Sequence, residues 1–212
     1  MRILIADDHA VVRKGIKQIL TEANQDAFVA EAGNLGEAHD LIREQPWDII
    51  ILDLAMPDGN GLESLKQIKQ EYPNLPVLVM SIYPEDQYAL RTIRAGASGY
   101  LTKESAPEEL VQAIRRILAG GEYISLAVEQ ELVNFARRED DQPLHHTLSD
   151  REFQVLCLIA SGKELKEIAS DLSLSVKTIS TYRARLLEKM KMRTNAELIR
   201  YAIQNKVVMN DI

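Results

Sequence analysis

Five polar residues each stand directly after a short apolar run. Asp7 and Asp8 follow Ile3–Ala6, Asp53 follows Ile49–Leu52, Ser81 follows Pro76–Met80, and Lys103 lies just past Tyr100-Leu101. Singly, each has an ordinary reading: Asp7-Asp8 and Asp53 as helix caps, Ser81 as a loop hydroxyl, Lys103 as a surface lysine. Together they make a reactive set. Carboxylates gathered in one place repel one another, and their pKa values rise unless a cation offsets them. A hard divalent ion such as Mg²⁺ (or Mn²⁺) is the natural offset, because it takes oxygen ligands and keeps several waters. A carboxylate nucleophile, a metal, a fixed ammonium and a hydroxyl form a kit for phosphoryl transfer, which needs little beyond positioning and charge neutralisation. A second set lies near the other end, where Ser175 to Arg193 holds six basic residues against Glu188 alone. A helix so charged suits a polyanion.

The elements that would position the first set alternate. Strands are predicted at Ile3–Ala6, Phe28–Ala30, Ile49–Leu52, Pro76–Met80 and Tyr100-Leu101, each followed by a helix with apolar residues at helical spacing. Five β/α units in about 120 residues predict a parallel sheet with helices on both faces, α/β and flavodoxin-like, a (βα)5 fold. The crevice of such a sheet opens at the carboxyl ends of strands one and three, where Asp7, Asp8 and Asp53 would meet. Residues 1–120 are assigned to this domain. Residues 121–146 read as a linker carrying one helix, Tyr123 to Arg138, before a charged, apolar-poor stretch, Arg137 to Pro143. His145-His146 reads as a solvated pair.

From 147 to 212 the pattern is all helical, with four helices. Ser149 with Glu152, and Thr194 with Glu197, have capping-box spacing. Leu165 to Leu172 and Thr178 to Met190 are predicted as two helices joined by Ser173-Leu174-Ser175, a helix-turn-helix layout. Cys157 sits among Val155, Leu156 and Leu158 and reads as a packed thiol.

Charge separates the two parts. The chain of 212 residues carries −7, divided as −10 over 1–146 (14 Lys/Arg against 24 Asp/Glu) and +3 over 147–212 (11 against 8). The apolar content of 46% is that of a globular protein. No apolar run approaches a membrane span, Met1-Arg2-Ile3 enters a strand without a signal-peptide pattern, and a single cysteine allows no internal disulfide; a cytoplasmic location is expected.

Asp7-Asp8, Asp53 with Pro57 and Gly61 at their offsets, Ser81 and Lys103 resemble the receiver domain of two-component response regulators over residues 1 to about 120. The resemblance implies that Asp53 accepts a phosphoryl group from a sensor histidine kinase. It implies Mg²⁺ held by Asp7, Asp8, Asp53 and the carbonyl of Ala55, phosphoryl oxygens held by Ser81 and Lys103, and an aromatic switch at Tyr100. Ser81 stands where many receivers have Thr, and Glu104 follows the lysine where many have Pro, so a cis bond there is not expected. From about Thr147 to Val208 the chain is similar to the LuxR-type helix-turn-helix, through Leu148-Ser149-Asp150-Arg151-Glu152, Gly162, Lys166-Glu167-Ile168-Ala169, Thr178 and Lys189-Met190. Together the halves resemble the NarL/FixJ family. That implies double-stranded promoter DNA as partner, with RNA polymerase as a further one. Base-reading positions fall at Ser180, Thr181 and Ala184, with Arg183 the side chain suited to guanine, and phosphate contacts at Lys177, Thr178, Arg185, Lys189 and Lys191. Homodimerisation through the last helix is assigned to Leu198, Ile199, Tyr201 and Ala202, some of which must be intradomain core. The implied protein is a switch, at most assisting its own phosphorylation and dephosphorylation. An aspartate-nucleophile phosphatase of the haloacid-dehalogenase type needs a second Asp at position 55, where Ala55 stands. A regulator with a vestigial site is disfavoured by the complete acidic set.

Overall fold

The computed structural model describes residues 1–207 except 57, 84, 106, 138–142 and 206. Pro57, Arg138 and Val208 of the sequence reading lie outside the described residues, as does most of the charged stretch before Pro143. The chain divides into two compact units, Met1–Leu132 and Val133–Ile212. Among the described residues no helix is long and apolar enough to cross a membrane.

The first unit is the expected α/β fold. Strands β1 (Arg2–Ala6), β2 (Phe28–Ala32), β3 (Ile49–Leu52), β4 (Val77–Ser81) and β5 (Gly99–Thr102) form one parallel sheet in the order β2-β1-β3-β4-β5. Helices α1 (Ala10–Ala23), α2 (Leu35–Glu44), α3 (Gly61–Glu71), α4 (Glu85–Arg94) and α5 (Pro107–Leu118) connect and follow them. Every residue of β3 is buried, as a strand covered on both faces requires. On one face Ile3, Ile5, Ile49, Ile51 and Leu78 pack with Ile16 and Leu20 of α1 and with Leu110, Ile114 and Ile117 of α5. Each such side chain contributes about 1.5–3 kcal/mol by leaving water. Register carries that packing to the sheet edge. Ala6 pairs with Leu52 and Ser81 with Thr102, so the residues that follow them, Asp7, Asp53 and Lys103, leave the sheet at neighbouring points.

The first unit continues past the expected boundary at residue 120. After Gly120, at φ +86°, the chain returns along the open edge of β5 and Tyr123 bridges to Gly99 in parallel. Tyr123 N donates to Ser98 O at 3.0 Å, and Tyr100 N donates to Tyr123 O at 3.1 Å. Gly99 permits this approach, since a Cβ there would lie 2.8 Å from the Tyr123 carbonyl oxygen. The helix predicted from Tyr123 therefore begins later, as α6 (Leu126–Arg137).

In the second unit a short 3-10 turn, Leu144–Thr147, precedes α7 (Asp150–Ala160), α8 (Leu165–Asp171), α9 (Val176–Lys189) and α10 (Asn195–Gln204). Both predicted capping boxes are present, at the starts of α7 and α10. Cys157 is buried in the packed face of α7. The α8–α9 connection is set by Ser173, which takes the left-handed conformation (φ 51°) that closes α8, with Leu174 N donating to Ala169 O at 2.8 Å. That tight end aims α9 away from α8 as a helix-turn-helix.

Two glycines separate close packing from backbone freedom. A Cβ at Gly61 would lie 2.5 Å from Leu54 Cα and 2.6 Å from the Asp53 carbonyl oxygen, so α3 starts against the Asp53 loop only without a side chain. Gly15, inside α1, has nothing within 4 Å. Gly61→Ala is expected to destabilise the first unit by about 1–3 kcal/mol. Gly15→Ala should stabilise it by about 0.5–1 kcal/mol. Urea denaturation of the two variants checks both signs.

Candidate functional site

The sheet edge gathers the predicted reactive set. Asp53 N donates to Ala6 O at 2.9 Å and Lys103 N donates to Ser81 O at 2.8 Å, which levels the end of β3 with β1 and the end of β5 with β4. Lys103 Nζ donates to Asp53 Oδ2 and lies equally close, 2.7 Å, to Asp7 Oδ2. The second oxygens are held by the backbone: His9 N donates to Asp7 Oδ1 at 2.8 Å and Ala55 N to Asp53 Oδ1 at 3.0 Å. Asp7 and Asp53 are 3% and 1% exposed, so their mutual repulsion is little screened by water. Asp8 Oδ1 is buried without a hydrogen bond, although His9 Nδ1 stands 2.7 Å away.

Burial pushes the Asp53 carboxyl above its ordinary range, against the opposing pull of the Lys103 ammonium and the Ala55 N–H. Burial alone would lower the Lys103 pKa, but the hydrogen bonds and charges of Asp53 and Asp7 outweigh it and raise it. Three carboxylates against one ammonium leave a formal excess of two negative charges, which a divalent cation would match. Asp7, Asp8, His9 and Asp53 each offer a ligand atom, all within 4.8 Å of one another. The carboxylate oxygens of Asp7, Asp8 and Asp53, with Asp8 Oδ1 lacking a hydrogen bond, fit a hard ion such as Mg²⁺.

Ser81 is fully buried, and its Oγ accepts from Tyr83 N at 3.3 Å. The Tyr100 ring is turned inward, 2% exposed, and its hydroxyl donates to Tyr83 O at 2.7 Å. Burial raises the pKa of that phenol, so it remains a donor. Glu104 follows Lys103 without a cis bond, and no peptide bond among the described residues is cis. Three residues near the crevice were not anticipated. His9 borders the carboxylates. Arg13, in the first turn of α1, donates from Nη1 to Asp7 O at 2.6 Å. Asp58, in the β3–α3 loop, accepts from Leu35 N at 3.0 Å and Gly36 N at 3.1 Å, and so caps α2 from a distance. The helical phase of α1 could have pointed to Arg13; nothing local marks Asp58.

In the second unit Ile179 and Leu186 hold α9 to its neighbours and leave Lys177, Ser180, Thr181, Ala184 and Arg185 exposed. Thr178 is half-buried, and its hydroxyl lies 2.8 Å from that of Ser175, the cap of α9.

Comparison with known proteins agrees with the two domains. The receiver-domain family of response regulators matches residues 3–115, and the luxR family of bacterial regulatory proteins matches residues 146–202. The chain belongs to the LuxR-type response regulators. The oxygen regulatory protein NreC of Staphylococcus haemolyticus is 35% identical over 98% of this chain and 99% of its own length. The response regulator GacA of Pseudomonas aeruginosa is 35% identical over 98% of each chain. Among solved structures, RcsB of Salmonella enterica serovar Typhimurium, bound to promoter rprA with the phosphomimetic BeF3⁻, is 25% identical with TM-score 0.63, covering 95% of this chain and 98% of that one. The chain is thus a DNA-binding response regulator of a two-component system, with a receiver domain and a LuxR-type domain.

Within the LuxR-type domain several assigned residues have intramolecular partners. Leu198 and Ala202 are fully buried, so they are core rather than dimer contacts. The cause is phase: α10 packs its 198/202 stripe inward. Ile199 is half-buried, and Tyr201, also half-buried, has its hydroxyl 3.1 Å from His145 Nδ1. The expected solvated His145 is therefore packed instead, with its ring 6.1 Å from that of Phe153. Arg183 Nε donates to Asn195 Oδ1 at 2.6 Å, which ties it to the start of α10. Lys189 Nζ donates to Glu152 Oε2 at 2.7 Å. Glu152 is the buried acid of the α7 capping box; burial would raise its pKa, but Lys189 and the Ser149 N–H and hydroxyl outweigh that and lower it.

A lowered folded pKa contributes stability above the ordinary glutamate range, and that stability is lost as pH falls through the folded value. Lys189→Ala should therefore cost about 1–3 kcal/mol near neutral pH by stranding a buried carboxylate. The gap from wild type should close as pH falls below the ordinary glutamate range and through the lowered folded value, where Glu152 becomes protonated. Thermal unfolding across that range is the check; a gap independent of pH would assign the loss to packing of the lysine stem.

Proposed function

We propose that Asp53 is the phosphoacceptor of this response regulator and that a sensor histidine kinase supplies the phosphoryl group. The observation that carries it is the Lys103 ammonium shared at 2.7 Å between the buried carboxylates of Asp7 and Asp53. An Asp53 oxygen attacks phosphorus, the P–N bond to the donor histidine breaks, and the ring nitrogen leaves with the electron pair. Ala55 N–H fixes the rotamer of Asp53 by holding Oδ1. Lys103 neutralises the added charge from one side, and Ser81 has a hydroxyl at the same edge, released from Tyr83 N when it turns to a phosphoryl oxygen. Asp7, Asp8, Asp53 and the Ala55 carbonyl would hold Mg²⁺ (or Mn²⁺), which supplies charge neutralisation to the transferring phosphoryl group.

The output follows from the other end of the sheet. Tyr100 is bound through its hydroxyl to Tyr83 and through its backbone to Tyr123, so movement of the Ser81 loop is felt where the chain leaves the receiver domain. Phosphorylation biases a two-state equilibrium toward a form that dimerises and binds promoter DNA. The receiver domain would span 1–132 and the DNA-binding domain 147–212, acting in the cytoplasm and there open to contact with RNA polymerase. Ile199 and Tyr201 remain the contacts proposed for dimerisation. Lys177, Thr178, Arg185 and Lys191 are the proposed phosphate contacts.

Asp53→Asn should incorporate no phosphoryl group from acetyl phosphate and Mg²⁺, with its fold intact, and should bind the operator no more tightly after treatment than before. Intact-mass measurement and gel shift read the two outcomes; a phosphorylated Asp53→Asn chain would remove the assignment. Removing the divalent ion with EDTA should stop incorporation into wild type. Lys177→Ala and Arg185→Ala should each weaken binding to all DNA sequences alike and lower the slope of log K against log salt by about 1. A titration from low to high salt measures it.

A further inference from the structure

On the exposed side of α9, the three residues assigned to the bases offer methyl groups and acceptors where a guanine reader would offer donors, and Lys177 on the same side is assigned to phosphate. At about 100° per residue, Thr181 and Ala184 lie near the middle of the face opposite Ile179 and Leu186, with Ser180 beside them. All three are exposed. Both hydroxyl hydrogens are used inside the helix: Ser180 Oγ donates to Val176 O at 2.9 Å and Thr181 Oγ1 donates to Lys177 O at 3.0 Å. While these bonds are kept, each oxygen acts toward the groove as an acceptor. What Thr181 adds is its γ-methyl, one turn from the methyl of Ala184. Arg183, the side chain expected to grip guanine, is half-buried on the core side of the helix and anchored to Asn195.

Base edges in the major groove are distinguished by donors, acceptors and the thymine methyl. Guanine presents two acceptors, N7 and O6, and needs a donor pair; thymine presents O4 and its 5-methyl, which apolar contacts from Ala or a Thr methyl recognise. We infer that this domain reads thymine methyl groups at the centre of each half-site, through Thr181 and Ala184, and does not read guanine there. The locked oxygens suit the paired adenine, whose N6 donates. The inference rests on the reading that α9 is the recognition helix with Ser180, Thr181 and Ala184 at the bases.

The test uses the full chain with beryllofluoride and Mg²⁺. Half-sites are first selected from random duplex DNA, and each recurrent thymine is then replaced by uracil, which removes one methyl and changes no hydrogen bond. Replacement at the contacted positions should weaken binding about fourfold per methyl. Thr181→Ser, which loses the methyl, should abolish the discrimination between thymine and uracil at one position per half-site. Thr181→Val, which keeps a methyl and loses the hydroxyl, should retain it. Unchanged affinity on fully uracil-substituted sites, or selected sites fixed at central guanines, would overturn the methyl readout. Ala184→Leu tests the underlying placement separately, because a larger side chain on an exposed position can be folded but not seated in the groove. If Ala184→Leu binds like wild type, the docking of α9 by this face is wrong and the inference falls with it. If Ala184→Leu fails to bind and uracil is tolerated, the docking stands and only the methyl readout is lost.

Discussion

Two buried carboxylates sharing one ammonium is the constraint on which the receiver domain depends. Asp7 and Asp53 are both almost inaccessible, and Lys103 is the cation that makes their proximity tolerable. Removing a charge from water is expensive, and a pair in so dry a place needs every remaining lone pair satisfied. The backbone provides that through His9 N and Ala55 N. The cluster still carries more negative charge than positive. That imbalance favours a divalent cation.

The parallel sheet makes this arrangement affordable. Ile49 to Leu52 is buried on both faces, so β3 cannot slip by one residue without turning its apolar side chains into different neighbours. Fixed register on β1, β3, β4 and β5 then fixes Asp7, Asp53, Ser81 and Lys103 to a common edge. Gly61 lets α3 start against the Asp53 carbonyl, and Asp58 ties the same loop to the start of α2. The loop that presents the carboxylate is held at Asp58 and where it enters α3.

The two domains divide the electrostatic work. The acidic crevice concentrates negative charge of the kind a divalent cation offsets, whereas α9 spreads positive charge along an exposed face. Not every charge on α9 belongs to that face. Lys189 completes the α7 capping box through Glu152, and Arg183 braces α10. Basic composition alone overstated the number of side chains free for a polyanion, since a helix with a 3.6-residue repeat turns some of its charges toward its own domain.

By itself the sequence determined the order of β/α units, the five polar residues at strand ends, both capping boxes and the helix-turn-helix, because each is encoded by local periodicity or by spacing of two to four residues. It also determined the family, since the reactive set and the basic helix occur together. Tertiary structure alone decided what those residues touch. The return of Tyr123 to β5 lacks an apolar run of its own and is fixed by the space that Gly99 leaves. The burial of Leu198 and Ala202, the packing of His145 between Phe153 and Tyr201, and the reach of Asp58 to α2 all join residues far apart in the chain. Periodicity marks which residues share a face of one element; only packing against another element says which face is inside, and which charges are left to act.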